Sequence, residues 1–178
     1  FSKMTEEDGS AITAKAVQRH RDLLRPVIEK YKRHGKSTGG DGLVASFPTA
    51  TDALNAASAM QRKLREYNDE HDAERDIIVR CGIAAGEVVL DMGGRPFIGA
   101  ALNLAARVMN LGDGGQILAT RPVVDKAGTL PGIRLHSHGR FTLKNIAEPT
   151  EVIEALWASD QQPLDPQGIR SEAGTSET

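Results

Sequence analysis

Cysteine is nearly absent from this sequence of 178 residues, in which Cys81 stands alone. A single cysteine excludes any intrachain disulfide. The apolar run that surrounds it, IIVRCGIAA, predicts a buried thiol in the core of the domain. Such a chain suits a reducing compartment, so we expect a cytoplasmic protein or the cytoplasmic domain of a larger signalling protein.

Long hydrophobic runs are missing as well, since no stretch of about 18 apolar residues occurs. No basic segment followed by an apolar one opens the chain. We therefore expect no membrane span, no secretion signal and no membrane contact from these residues. The first residue is Phe1 and not an initiator methionine, so we expect the sequence to be a fragment of a longer protein.

A marked excess of either charge is also missing, because 22 Lys and Arg stand against 24 Asp and Glu, a net charge of -2. This balance excludes a general attraction to nucleic acid. The hydrophobic share of 39% and the charged share of 26% suit one soluble domain with a substantial core. Any site for an anion must then be built from a few local residues.

Helical periodicity marks four segments of the chain. The first begins with a capping box at Thr5 and Asp8, and Thr51 can cap the second. A third helix covers about 100–111, and a short helical piece lies near 123–127. The second helix turns one apolar face to the core, formed by Leu54, Ala57, Met60, Leu64 and Tyr67.

Short apolar runs predict the strands. The run LVASF is one strand, QILAT is another, and IRLHSH and EVIEALW are the last two. Residues 77–83 and 87–92 are expected to form a hairpin around Gly86 at the centre of the sheet. The alternation predicts an α+β fold with a ferredoxin-like core, a mostly antiparallel sheet and helices on one face. Residues 158–178 lack apolar periodicity and are expected to form a mobile tail.

Two short stretches could carry chemistry. Asn103 and Arg107 are four residues apart, so on a helix they lie one above the other and can address one ligand. The stretch STGGDGLVASF places Asp41 and Gly42 ahead of a strand. Taken alone, the first is a solvated pair and the second an ordinary hairpin turn.

The order of several stretches, GDG, CGIAAGEVV, LNLAARV, GGQIL, GRFTLKNI and EVIEAL, resembles the class III nucleotidyl cyclase catalytic domain over residues 1–157. Diguanylate cyclases also have a GGD turn and a ferredoxin-like core. They carry Glu at the position of Gly42 and have nothing like the helix of Asn103 and Arg107. The resemblance therefore favours the class III family.

The resemblance implies a reaction and its residues. The ribose 3′ oxygen of ATP attacks the α-phosphate, and cyclic AMP and pyrophosphate are formed in signal transduction. Two Mg²⁺ or Mn²⁺ ions assist, with Asp41 as one metal ligand. By the same resemblance Asn103 orients the ribose, Arg107 stabilises charge on the α-phosphate, and Lys144 contacts the terminal phosphates.

Three further positions bear on the purine. By the same resemblance Lys36 stands near the place of a base-reading lysine, which favours adenine, and backbone groups near Pro96 and Phe97 can contact the base. Pro96 replaces a side chain that adenylate cyclases use to read the purine, and proline has no such hydrogen-bonding group. The Glu and Cys pair of guanylate cyclases is not evident, so ATP is favoured over GTP.

The resemblance also implies a homodimer, because metal ligands and the Asn and Arg pair come from different subunits in this family. A sensory domain is expected to be attached to it or to regulate it. The first metal-binding Asp of the family precedes the aromatic that matches Phe1, on a central strand that we expect upstream. The alternative is a degenerate cyclase domain that binds nucleotide or dimerises to regulate a neighbour.

Overall fold

The computed structural model describes residues 8–31, 42–90, 92 and 96–167, with the backbone alone for 8–14, 90 and 96–98. The helices are α1 (Asp8–Glu29), α2 (Ala50–Asp69), α3 (Ala100–Met109) and α4 (Arg121–Lys126). The strands are β1 (Cys81–Ile83), β2 (Val89–Leu90), β3 (Pro96–Ile98), β4 (Ile117–Thr120), β5 (Arg134–Phe141) and β6 (Thr150–Leu156). In these ranges, none of the helices combines the length and the hydrophobicity that a bilayer crossing requires.

The main sheet contains four strands in the order β1, β4, β6, β5. β1 and β4 are parallel, with Cys81 opposite Ile117. The pairs β4–β6 and β5–β6 are antiparallel. A separate two-stranded ladder joins β2 and β3, also antiparallel. The predicted α+β fold with a mostly antiparallel sheet is confirmed.

Helices cover both faces of this sheet, so the prediction of helices on one face is wrong. Along β4, Ile117 and Ala119 pack with α2 and α4, whereas Leu118 packs with α3 and Phe141. Successive side chains of a strand point to opposite faces, so the two clusters lie on opposite sides. All four residues of β4 are buried, because it is covered twice.

The predicted hairpin around Gly86 does not form. β1 pairs with β4, which follows more than 30 residues later in the chain, and β2 pairs with β3. A local apolar pattern shows that a segment is extended but carries no information on its partner. The strand partner is therefore decided by tertiary packing.

The predicted strand at 43–47 is also absent from the ladders of the described residues, apart from a single bridge residue, Ser46. A groove of about 680 Å³ separates this extended segment from the edge of β1. Residues of α1 and α2 line one side of the groove and residues of α3 the other. Extended apolar backbone forms a β-strand through hydrogen bonds to a neighbouring strand, and within 43–47 the described part of the chain shows a bridge at Ser46 alone.

The cap of α2 differs by two residues from the predicted one. Thr49 is the N-cap, and its Oγ1 accepts a hydrogen bond from the Asp52 N–H at 3.0 Å. The Oγ1 of Thr51 instead accepts from the Gly128 N–H at 2.8 Å, which ties α2 to the loop after α4. The predicted core face is confirmed at Leu54, Ala57 and Leu64, which are buried, and Met60 and Tyr67 are half-buried.

Residues 158–167, where a mobile tail was expected, make hydrogen bonds to the domain. The Arg134 guanidinium donates to the Gln161 carbonyl at 2.6 Å, and the Gln116 side chain donates to the Leu164 carbonyl at 2.7 Å. The mobility of this segment stays a prediction. Residues 168–178 lie outside the described part.

Glu151, a residue of β6, makes the free energy of unfolding depend on pH in the acidic range. Arg121 binds Glu151 through two hydrogen bonds of 2.6 and 3.0 Å, and Ser137 donates a third at 2.8 Å. The Arg121 bond first, and then the Ser137 bond, lower the pKa of Glu151 from 4.5 to about 2. A lowered folded-state pKa stabilises the protein above pH 4.5, and this contribution is lost as the pH falls towards 2.

We therefore expect the free energy of unfolding of the natural protein to fall more steeply between pH 5 and pH 3 than that of Glu151→Gln. Urea unfolding of both proteins at pH 5 and at pH 3 measures these free energies. The other carboxylates are the same in both proteins, so their contributions cancel in the comparison. Equal slopes for the two proteins would show that Glu151 is not bound by Arg121 in solution.

Candidate active site

Helix α3 carries the central residues of the candidate site, and two glycines allow it to pack where it does. A Cβ at Gly82 of β1 would collide with the Ala105 carbonyl oxygen and would lie 2.6 Å from Met109 Cβ. A Cβ at Gly99, the N-cap of α3, would lie 2.7 Å from the Glu87 carbonyl oxygen. The helix therefore lies directly against β1 and against the chain that enters β2.

Asn103 and Arg107 lie on the side of α3 that faces away from the sheet. Asn103 is exposed and Arg107 half-buried, whereas Ala101 and Val108 are buried on the opposite side. Within the described ranges, no hydrogen bond or ion pair joins either side chain to another residue. Arg107 is also the only charged residue in α3. An unpaired amide and an unpaired guanidinium one turn apart are available to a ligand.

The loop of Lys144 packs against the same helix. Leu143 and Ile146, on either side of Lys144, belong to one cluster with Leu104 and Val108 of α3. Lys144 itself is exposed, so its ammonium stays in solvent while its neighbours anchor the loop. The structure thus brings the segment of Lys144 to the helix that carries Asn103 and Arg107.

Pro96 and Phe97 form the first two residues of β3, which leads through Gly99 into α3. Their backbone therefore lies just ahead of the helix turn that contains Asn103. The contact predicted for their backbone groups stays a prediction. Lys36 and Asp41 lie outside the described residues, and their predicted roles remain predictions.

The residues that the structure describes do not form a cluster of metal-binding side chains. No group of three or more His, Cys, Asp or Glu side chains with suitable geometry occurs among them. A divalent cation needs several oxygen ligands, so these residues alone do not fit a metal site. The predicted metal ligand, Asp41, lies outside the described residues.

Two residues next to the site, the half-buried Gly82 and the buried Gln116, were not among the predicted site residues. Gly82 interrupts an apolar strand, and an isolated glycine in a strand signals a close backbone approach. Gln116 is buried and follows the turn after α3, but nothing in its local pattern distinguishes it from a surface glutamine. Cys81 was expected to be buried, and the residue is half-buried. Desolvation of its thiol raises the pKa to about 12, so the thiol is protonated at neutral pH.

Comparison with known sequences gives distant relatives. No model of a known protein family matches the chain. A protein of Rhizobium meliloti (strain 1021) named "Putative adenylate cyclase 3" is 23% identical over 172 residues. The match includes 97% of this chain and 29% of that protein, so the chain spans less than a third of the relative's length.

Solved structures share the fold over nearly the whole chain. Adenylate cyclases from Trypanosoma brucei, analysed in their monomeric state, superpose with a TM-score of 0.74 at 19% identity. That match covers 94% of this chain and 91% of the other. An adenylate/guanylate cyclase/hydrolase from Silicibacter pomeroyi gives a TM-score of 0.72 at 25% identity, covering 90% and 92%.

Proposed function

This chain is a homologue of the class III nucleotidyl cyclase domains, and we propose that it converts ATP to 3′,5′-cyclic AMP and pyrophosphate. The observation that carries the proposal is the face of α3, where Asn103 and Arg107 lie one turn apart and bind no other side chain of the described residues. The reaction needs groups of this kind, because charge builds up on phosphate oxygens in the transition state.

Arg107 is assigned to the α-phosphate. The ribose 3′ oxygen loses its proton and bonds to the α-phosphorus, while the bond from that phosphorus to the bridging oxygen breaks and pyrophosphate leaves with the electron pair. A guanidinium presents several N–H donors in a fixed plane to the oxygens that gain charge. Because Arg107 has no ion-pair partner among the described residues, its charge is not neutralised before the substrate binds.

Asn103 is assigned to the ribose. Its amide offers both a donor and an acceptor, and a ribose hydroxyl and ring oxygen can use either. A position one helical turn before Arg107 suits the distance between a sugar and the adjacent phosphate. Holding the 3′ oxygen in line with the α-phosphorus lowers the barrier by orientation.

Lys144 is assigned to the terminal phosphates. Its anchored loop lies against α3, and its exposed ammonium can approach a polyphosphate that lies along the helix. A flexible point charge suits phosphates that leave after the reaction.

The purine is assigned to Lys36 and to the backbone at Pro96 and Phe97, and we favour adenine over guanine as the base.

Asp41 is assigned to a pair of Mg²⁺ or Mn²⁺ ions, and the active enzyme is proposed to be a homodimer. In this arrangement Asp41 of one copy and the α3 face of the other close around the same triphosphate. A complete site then needs two chains, and a sensory domain could act by changing how they meet.

The experiment that tests the function uses the full natural chain, purified and supplied with ATP or GTP and with Mn²⁺, Mg²⁺ or EDTA. We expect cyclic AMP and pyrophosphate from ATP with either metal, less product from GTP, and none with EDTA. A protein that binds ATP but forms no cyclic nucleotide would instead be the regulatory, degenerate domain. Formation of a cyclic dinucleotide from GTP would assign it to the diguanylate cyclases.

The shared site has a separate test. Asp41→Asn and Arg107→Ala are each expected to be inactive as homodimers. When the two variants are mixed in equal amounts after brief dissociation, about half of the dimers are heterodimers, and one of the two sites in each heterodimer is intact. Activity is therefore expected to return to about a quarter of that of the natural protein. Arg107→Ala mixed with Asn103→Ala is the matched control and should stay inactive, because both changes fall on one half-site.

A further inference from the structure

The segment 158–167, which we call the C-terminal strap, is bound to the domain along its length. Near its start, the Trp157 N–H donates to the Gln161 side chain at 2.8 Å, and Arg134 donates to the Gln161 carbonyl. In its middle, the Leu164 N–H donates to Glu154 at 3.1 Å. At its end, the Gln167 N–H donates to the Leu111 carbonyl at 2.6 Å.

The middle contact is made to a buried carboxylate. Glu154 is fully buried in β6, and its Oε2 also lies 2.6 Å from Nε2 of buried His138. Asp165 of the strap lies 3.6 Å from the other ring nitrogen of His138. The strap therefore covers a polar pair in the core, and its removal would open that pair to water.

The end contact reaches the helix of the candidate site. Leu111 lies one turn after Arg107, and its N–H donates to the Val108 carbonyl in the last turn of α3. Gln116, which is buried, connects the same turn to the strap. Its Oε1 accepts from the Asp113 N–H at 2.7 Å and its Nε2 donates to the Leu164 carbonyl at 2.7 Å.

We propose that the C-terminal strap and Gln116 together position α3, so that docking of the strap holds Arg107 in its reactive place and release of the strap lowers nucleotide turnover. Gln116 acts through α3 and is a positioning residue. The proposal rests on the cyclase function for its effect on turnover, but the mechanical link between strap and helix does not depend on that function. Displacement of this segment would be a means of controlling the enzyme.

Two substitutions test the link from different ends. Gln116→Glu keeps the acceptor for Asp113 but replaces the donor to Leu164 with a carboxylate oxygen, and Gln167→Pro removes the N–H that binds Leu111. Hydrogen exchange of amides in 104–112 is expected to quicken about tenfold in both, as when one hydrogen bond is lost. The turnover number kcat is expected to fall about tenfold, while KM stays within about twofold of its natural value. The reason is that a displaced Arg107 stabilises the transition state less well.

Gln162→Ala, an exposed change within the strap, is the matched control and should alter neither measurement. Unchanged exchange at 104–112 in Gln167→Pro overturns the proposal, as does faster exchange with unchanged kcat. Gln167 is exposed at the end of the described chain, so this variant remains informative if Gln116→Glu fails to fold. If the natural protein forms no cyclic nucleotide, the proposed function fails, while the exchange result still decides the link.

Discussion

Replacement of Arg107 by alanine is expected to lower kcat for cyclic nucleotide formation by about a hundredfold to a thousandfold, the usual cost of removing one donor from a developing oxyanion. KM should change little, because the charge on the α-phosphate oxygens grows only as the transition state is reached. The fold should be intact, since Arg107 is half-buried and has no partner among the described residues. Steady-state kinetics with ATP and Mn²⁺ measures both constants.

Arg107→Lys keeps the charge and loses the planar fork, so it should recover only a small part of kcat. Arg75→Ala is the matched control, because Arg75 is an exposed arginine remote in sequence from α3. Equal kcat in Arg107→Ala and Arg75→Ala would remove Arg107 from the reaction. A rise in KM alone would make it a residue of ground-state binding.

Replacement of His138 by alanine is expected to lower the free energy of unfolding by about 1–3 kcal/mol, the usual cost of leaving a buried hydrogen-bonding group without its partner. The side chains of His138 and Glu154 are 1% and 0% exposed, and 2.6 Å separates Nε2 from Oε2. Without the imidazole, the Glu154 carboxylate would be buried with only the Leu164 N–H as a donor. Urea unfolding at neutral pH measures the loss.

His136→Ala is the control for this prediction. His136 is exposed on the same strand, with its ring 4.8 Å from that of His138. It should change stability by less than about 0.5 kcal/mol, as surface substitutions usually do. The double variant His138→Leu with Glu154→Met should recover most of the stability, because an apolar pair of similar size needs no partner. A single variant as stable as the natural protein would show that the pair is solvated.

The helix that carries Asn103 and Arg107 could be predicted from the sequence. The spacing of Asn103 and Arg107 places them on one face of any helix, and the structure has them on the outer face of α3. The helix itself was predicted at about 100–111 and lies at Ala100–Met109. What the spacing could not predict is that neither side chain has a partner in the described part of the chain, since that depends on which segments fold next to them.

The polar core could not be predicted. Glu154 lies in β6 between Ile153 and Ala155, and alternation along a strand would favour an exposed glutamate. It is buried because both faces of β6 are covered and because His138 and the C-terminal strap satisfy one of its oxygens. Such a pair is recognised only after the distant strands and the tail have been brought together.

The sequence by itself determined the helices, most of the strands and the common face of Asn103 and Arg107, because the periods of 3.6 and 2 residues are local properties. The tertiary structure alone decided that β1 pairs with β4, that helices cover both faces, and that the C-terminal strap ends against α3. Strand partners and burial depend on contacts between residues far apart in the chain, whose free energies no local pattern contains.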